Sequence, residues 1–293
     1  MRFLAPPPLR PGDRVAVVAP AGPFDRPSFE KGLEVLKTRY QPVFTERLFD
    51  THRYLAGTDA VRGADLQAAL DHTEVKAVFA ARGGYGAMRL LPSLSLSSPK
   101  WLVGFSDLTA LHCAAQVKGW QSLHAPVLTQ LGKQPPEVVE HFFSQLEGAP
   151  ATPLLGSIPL VSGLAEGPLL GGNLSVLTRL IGTPWFPSLD GAVLLIEDVG
   201  ERPYRLDRMW QHLVLSGALK GVRGVVLGDF TGCDEKDASY SWADVLGELV
   251  RELGVPAAAG FRIGHGDQNW SVALGRTVQL ETRSTLPVLT PLA

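Results

Sequence analysis

The chain has 293 residues, enough for one large domain or two ordinary ones. Hydrophobic residues make up 45% and charged residues 19%, a balance that supports a packed core and excludes extensive disorder. The formal net charge of −2, with no basic block, removes the electrostatic case for nucleic acid or an anionic membrane surface.

The first residues, Met1-Arg2-Phe3-Leu4-Ala5-Pro6-Pro7-Pro8, lack the apolar stretch of a secretory signal, and no apolar run reaches the length of a membrane span. The two cysteines, Cys113 and Cys233, have no CxxC or CxxH neighbours. A soluble cytoplasmic protein with neither a zinc site nor a disulfide framework is expected.

After Pro11-Gly12-Asp13, the continuous apolar run 15–19 predicts a strand buried on both faces. Phe29, Leu33 and Leu36 recur at helical spacing after Pro27-Ser28, and Pro42 introduces a short strand at 43–45. A helix is predicted over 59–70, with Val61, Leu66, Ala69 and Leu70 on its apolar side and Thr58 as cap. A buried strand at 75–81 leads into Arg82-Gly83-Gly84-Tyr85-Gly86 and a short helix to Leu91. The next apolar run begins at Trp101 and stops at Gly104. Beyond Ser106, the residues Leu108, Ala110, Leu111, Ala114 and Ala115 predict a helix closed by Gly119. Strands alternating with helices imply a parallel sheet covered on both faces, with its site at the carboxyl ends of the strands. The turns after Ala81 and after Gly104 meet that rule.

Pro135-Pro136 opens a helix to about Leu146, and the proline-punctuated segment 147–153 marks a boundary. The expected division is a first domain over 1–150, a linker over 151–165 and a second domain over 166–293. The second half starts with a glycine-rich run, 167–172, followed by Asn173 and a helix to about Leu180. Strands are predicted at 192–196, 222–227, 257–260 and 277–281, and helices at 204–215 and 242–253.

Three stretches carry candidate chemistry. The first joins the glycine turn to Ser106. A serine at a strand-to-helix turn exposes its hydroxyl, and the N–H of Asp107 is free at the helix start to receive an oxyanion. Leu108 occupies the last glycine position of the Gly-x-Ser-x-Gly elbow, so a plain helix cap at Ser106 or Asp107 is the competing assignment. The turn after Arg82 offers backbone N–H groups to an anion, but it has neither phosphate-loop nor GxGxxG spacing, and a tight turn explains it equally well.

The second stretch ends the strand before Glu197 and Asp198, with Glu201 four residues on. Alternation puts Glu197 and Asp198 on opposite sides, and any of the three acids could instead be solvated or pair with Arg202, Arg205 or Arg208. The third is His265, held between Gly264 and Gly266 and suited to proton transfer near neutrality. Its one competitor is His124, because His112, His141 and His212 fall in predicted helices and His52 and His72 in polar surroundings. Serine, carboxylate and histidine in this order form a workable Ser…Glu…His system.

Together these stretches resemble the LD-carboxypeptidase family of serine peptidases (S66, with its microcin-immunity relatives), nearly end to end. The resemblance is carried by Pro11-Gly12-Asp13 with the run 15–20, and by Tyr54-Leu55-Ala56-Gly57-Thr58-Asp59 with Arg62. It continues through Ala81-Arg82-Gly83-Gly84-Tyr85-Gly86, Val103-Gly104-Phe105-Ser106-Asp107 and Gly171-Gly172-Asn173-Leu174. It ends with the stretch from Glu197-Asp198-Val199-Gly200-Glu201 to Arg208 and with Gly264-His265-Gly266.

The resemblance implies Ser106 as nucleophile, Glu197 as the triad carboxylate and His265 as general base. The amides of Asp107 and Gly84 would form the oxyanion hole. It implies an α/β fold in which an N-terminal parallel-sheet domain (flavodoxin-like, or class I amidotransferase-like) joins a C-terminal mixed β/α domain. The active site would lie between them, in a homodimer, with no metal or cofactor. The implied reaction removes a terminal D-amino acid from an L-configured centre, and the usual substrate is a cytoplasmic murein tetrapeptide losing D-alanine in cell-wall recycling. Arg82 is assigned to the free carboxylate beside the scissile bond, since a guanidinium grips it with two hydrogen bonds; pairing with a structural acid is the alternative. Gly83, Tyr85, Asn173 and Glu201 are further candidate peptide contacts. The chain departs from its relatives at Ser122-Leu123-His124-Ala125-Pro126, where a glycine more often precedes the proline. It also lacks an aromatic insertion suited to an adenine ring, although Trp185 and Phe186 keep a microcin-immunity-type peptidase in view. A non-catalytic sugar- or peptide-binding module is the alternative from another class.

Overall fold

The computed structural model describes residues 3–150 and 152–292; Met1, Arg2, Ala151 and Ala293 lie outside the described residues, and with Ala151 the first position of the expected linker. The apolar runs of the first half become β1 (Arg14–Val18), β2 (Gln41–Val43), β3 (Val75–Ala80), β4 (Trp101–Gly104) and β5 (Ser122–His124). All five are parallel, in the spatial order β2-β1-β3-β4-β5. Helices α1 (Arg26–Lys37), α2 (Asp59–Asp71), α3 (Thr109–Val117), α4 (Leu128–Leu131) and α5 (Pro136–Leu146) follow the strands.

Continuous hydrophobicity in these strands has the cause expected of a sheet covered twice. Val15 and Val17 of β1 pack with Phe29, Leu33 and Phe142 on one face. Ala16 and Val18 pack with Leu66 and Leu70 on the other. Each such side chain contributes about 1.5–3 kcal/mol by leaving water.

The second half holds β6 (Leu154–Leu155), β7 (Ile158–Val161), β8 (Leu164–Asn173), α6 (Leu174–Arg179) and β9 (Val193–Val199). It continues with α7 (Pro203–Leu215), β10 (Gly224–Thr231), α8 (Trp242–Leu253), β11 (Ala257–Ala259), β12 (Val272–Leu274), β13 (Thr277–Glu281) and β14 (Val288–Pro291). Eight of these strands form a sheet of order β6-β14-β13-β8-β9-β10-β11-β7. The central β8-β9-β10-β11 are parallel and the flanking strands antiparallel. β6 and β7 sit at opposite ends of that order, yet only Gly156-Ser157 separates them in sequence. Two residues reach about 7 Å, so the sheet curls until its edges nearly meet.

One expectation needs correction. The segment 151–165 is not simply a linker, since it supplies β6, β7 and the start of β8. The expected parallel sheet of the first half gains one strand from the second: β12 adds to it antiparallel to β5, with Val272 opposite His124. The two sheets also share one apolar core, in which Leu108 and Leu111 are continuous with Leu174, Leu177, Leu206 and Trp210. Among the described residues, no helix is long and apolar enough to cross a membrane.

Candidate active site

The carboxyl ends of β1, β3, β4 and β5 open onto one cleft of about 580 Å³. Asp25 and Ser28 line it after β1, Arg82, Gly83 and Gly84 after β3, Phe105 and Ser106 after β4, and Thr129, Gln130 and Lys133 after β5. His265 closes it from the second half of the chain. This is where an open parallel sheet places its ligands.

Among the described residues, Ser106 is one of three non-glycine residues at positive φ, at 64°. Its predecessor Phe105 is fully extended, and a single 3-10 turn over 106–108 leads into α3. A left-handed residue there costs about 1–2 kcal/mol, and it reverses the chain sharply at the cleft. Asp107 stands next in the open first turn, where backbone N–H groups have no helical partner. Its side chain turns inward: Oδ2 accepts the Ala87 N–H at 2.7 Å, tying the elbow to the end of the glycine turn. Burial lifts the Asp107 carboxyl to about 6, against the Ala87 hydrogen bond and the Arg62 charge.

The glycine turn approaches the serine closely. Gly83 O accepts the Gly22 N–H at 3.0 Å, which fixes the turn against the loop after β1. Gly84, at φ 105°, is exposed, and its N–H has no backbone acceptor among the described residues. Behind the turn, the fully buried Arg62 guanidinium donates to the carbonyls of Pro20 and Gly86 and pairs with Asp59. Arg82 lines the cleft with its guanidinium on the Pro23 carbonyl, and no carboxylate partner holds it among the described residues.

β9 delivers Glu197 and Asp198 to opposite sides, as alternation requires. Glu197 is fully buried, and its Oε2 lies 2.6 Å from His265 Nδ1. Asp198 instead caps α6, accepting Ser175 N–H at 2.8 Å and Asn173 Nδ2 at 3.1 Å. Burial pushes the Asp198 carboxyl up to about 6, with the Glu197 charge adding to it. The His265 ring packs against Phe105, with centroids 4.6 Å apart. Burial disfavours its charged form, but Glu197, Asp198 and Asp229 together outweigh this and raise its pKa. With Nδ1 on a carboxylate, the neutral ring keeps Nε2 free to accept a proton. No hydrogen bond joins Ser106 Oγ to His265 among the described residues; such contacts are often loose before substrate binds.

The structure separates the remaining candidates. His124 is fully buried under Phe105 and stays neutral, its pKa driven down by burial. Asn173 is the N-cap of α6, its Oδ1 accepting the Val176 N–H, so it does not line the cleft. Glu201 pairs with Arg205 at 3.4 Å, and Tyr85 lies exposed against Tyr54. Reasoning from the sequence missed two of the four strand ends: the one after β1, which brings Asp25 and Ser28, and the one after β5, which brings Gln130 and Lys133. Pro126, just beyond a short apolar strand, was the available signal for the second. Among the described residues no cluster of three or more His, Cys, Asp or Glu could hold a metal ion.

Comparison with known proteins assigns both halves of the chain to one family. Residues 15–125 match the LD-carboxypeptidase N-terminal domain and residues 166–280 the LD-carboxypeptidase C-terminal domain. The chain is 35% identical over 285 residues to a murein tetrapeptide carboxypeptidase of Pseudomonas aeruginosa, covering 92% of this chain and 93% of that protein. It superposes on the crystal structure of muramoyltetrapeptide carboxypeptidase from Oxalobacter formigenes with a TM-score of 0.84 at 30% identity, covering 95% of this chain and 100% of that one. The fold is also that of the Microcin C7 self-immunity protein MccF of Escherichia coli, which is 25% identical over 310 residues, 92% of this chain and 90% of that protein. The chain belongs to the LD-carboxypeptidase family and is a serine-type carboxypeptidase of that family.

Proposed function

We propose that this enzyme hydrolyses the L,D-peptide bond to the terminal D-alanine of murein tetrapeptides, through an acyl-enzyme formed on Ser106. The observation that carries the reading is the 2.6 Å contact of His265 Nδ1 with Glu197 at a cleft that also holds Ser106 on its elbow. His265 Nε2 takes the Ser106 proton as Oγ attacks the carbonyl carbon, and Glu197 fixes the tautomer and stabilises the imidazolium. The amides of Asp107 and Gly84 receive the oxyanion, each worth about 2.7–4 kcal/mol of barrier. His265 then passes its proton to the departing D-alanine amine. Water attacks the acyl-serine by the same route in reverse and frees the shortened peptide.

Arg82 grips the terminal carboxylate in this reading, supported by its place in the cleft without an acidic partner. Gly83 packs behind the scissile bond. Tyr85 and Glu201 belong at most to the outer part of the peptide path. The family resemblance supports cytoplasmic cell-wall recycling and a homodimer. It also supports a chain organised as two halves that meet at the cleft, 1–150 and 166–293.

The test is mass-spectrometric detection of D-alanine release from a murein tetrapeptide, wild type beside Ser106→Ala. Release that vanishes in the folded variant supports reaction and nucleophile together. No release from either protein moves the substrate to an aminoacyl-adenylate-like peptide, and equal release from both removes Ser106 from the mechanism.

A further inference from the structure

The two glycines beside His265 each rest on a different carboxylate. A methyl on Gly264 would lie 2.6 Å from Glu197 Oε2. A methyl on Gly266 would lie 2.7 Å from Asp229 Oδ2 and 2.9 Å from Oδ1. Glycine at both positions lets the loop settle onto both acids at once. Asp229, on β10, also brackets the histidine by hydrogen bonds. Its N–H donates to the Ile263 carbonyl at 2.8 Å, and its Oδ2 accepts the Gly266 N–H at 3.3 Å. The bonds fall on either side of Gly264-His265, so one residue fixes both ends of the segment that presents the base.

We propose that Asp229 is a positioning residue for the carboxypeptidase reaction, holding His265 in register with Glu197 and setting the pH at which the imidazole becomes a base. The proposal rests on His265 being the general base. The groups facing that ring are Glu197 from β9, Asp229 from β10 and the neutral His124 from β5, with Asp198, on the opposite side of β9, acting on it only by its charge at longer range. Arg262 and Asp267 flank it on its own loop. Asp25, Arg82 and Lys133 stand on the facing walls of the cleft. Of these acids, Glu197 lies against Gly264 and Asp229 against Gly266. Burial raises the Asp229 carboxyl to about 6, against the Gly266 hydrogen bond, so it is charged where His265, raised above its ordinary 6.5, gives up its proton.

Asp229→Asn keeps an oxygen for the Gly266 N–H and removes the charge, whereas Asp229→Ala removes both. The His265 imidazole is followed by NMR against pH in the full chain. In Asp229→Asn it should titrate at lower pH than in wild type, and the acid limb of kcat/KM should move down with it. In Asp229→Ala the plateau kcat should fall about tenfold or more, because the loop is no longer bracketed. A folded Asp229→Asn protein whose His265 titrates at the wild-type pH overturns the proposal. Should that variant not fold, Asp229→Ser, which also lacks the charge and keeps an acceptor, is titrated and judged in the same way. The NMR titration needs no substrate, so a wrong substrate assignment would show as absent hydrolysis and leave this measurement standing.

Discussion

A methyl group on Gly83 would stand 2.9 Å from Cβ and 3.1 Å from Oγ of Ser106. The turn proposed to carry the oxyanion donor and the residue proposed as nucleophile are therefore in van der Waals contact through a missing side chain. Gly83 is not among the glycines at positive φ, so alanine fits its backbone and the conflict is with Ser106 alone. Gly83→Ala should keep its melting temperature within a few degrees and lose about 100-fold in kcat, the scale expected for a small misplacement of reacting groups. Calorimetry beside a D-alanine release assay checks it, and unchanged kcat would mean that the turn has more slack than this spacing allows.

Glu197 and Asp198 are adjacent and both buried, but they should fail differently. Glu197→Ala removes the partner of His265 and should lower kcat by about 10⁴-fold, as loss of a triad carboxylate does. Asp198→Ala strands the Ser175 N–H and the Asn173 amide, at about 1–3 kcal/mol for each buried donor left unpaired. It should unfold at lower temperature while keeping most of its kcat where folded. Equal activity loss in two well-folded variants would undo the assignment.

Arg62 offers a test of the support behind the glycine turn. Its buried guanidinium serves the Pro20 and Gly86 carbonyls, and Asp59 is left without that partner when it is removed. Asp59 is partly exposed and keeps Arg89, so the cost of Arg62→Ala comes from the stranded Pro20 and Gly86 carbonyls, at about 1–3 kcal/mol for each. Arg62→Lys should recover only part, since an ammonium lacks the planar fork. Denaturant titration gives both numbers directly.

Activity and the stability contributed by the buried aspartates should respond to pH in opposite directions. The raised pKa of His265 places the acid limb of kcat/KM above the ordinary histidine value near 6.5. Between about pH 4 and 6, the folded chain binds protons at Asp107, Asp198 and Asp229, each raised to about 6, that the unfolded chain has released. Stability from these groups therefore declines as pH rises through that window. The contribution of His265 has the same sign: it is full below about 6.5 and is lost as pH climbs through the folded value. Asp25, Asp59, Asp244 and Glu281, held below the usual range by their hydrogen bonds, have the opposite sign, and so do His112, His124 and His141, whose burial lowers their pKa and leaves the unfolded chain the better proton binder below about 6.5. The aspartate contribution is isolated by substitution: the urea midpoint of Asp198→Asn relative to wild type should rise between pH 4.5 and 7.5, while the wild-type kcat/KM rises.

The parallel strands were legible because burial on both faces writes them as unbroken apolar runs, as at 15–19 and 75–81. The elbow and the His265 loop were legible because glycines mark close approaches. What escaped was structure defined by partners far along the chain. β6 and β12 are two and three residues long, too short to show a period, and each exists only through its register with another strand. Asp229 escaped for the same reason. It lies two residues past the strand expected at 222–227, and only the approach of the 263–266 loop gives it a role. The cap at Thr58 shows the converse, since a local hydrogen bond can be read from local sequence.

The addition of β12 to the first sheet makes the site a late event in the life of each molecule. His265 is strung between β11, which belongs to the curled sheet, and β12, which seals the open edge of β5. The elbow, the glycine turn and the cleft walls after β1, β3, β4 and β5 all lie within the first 150 residues, whereas the proposed base arrives only with residue 265. Until residues 272–274 are made, β5 carries a bare edge, a template for pairing with strands of other chains. The same three residues that cover that edge anchor the segment bearing the histidine. Protection against misassembly and the arrival of hydrolytic competence are thus one step of folding, and a chain cut short before that strand should be both inert and prone to aggregate.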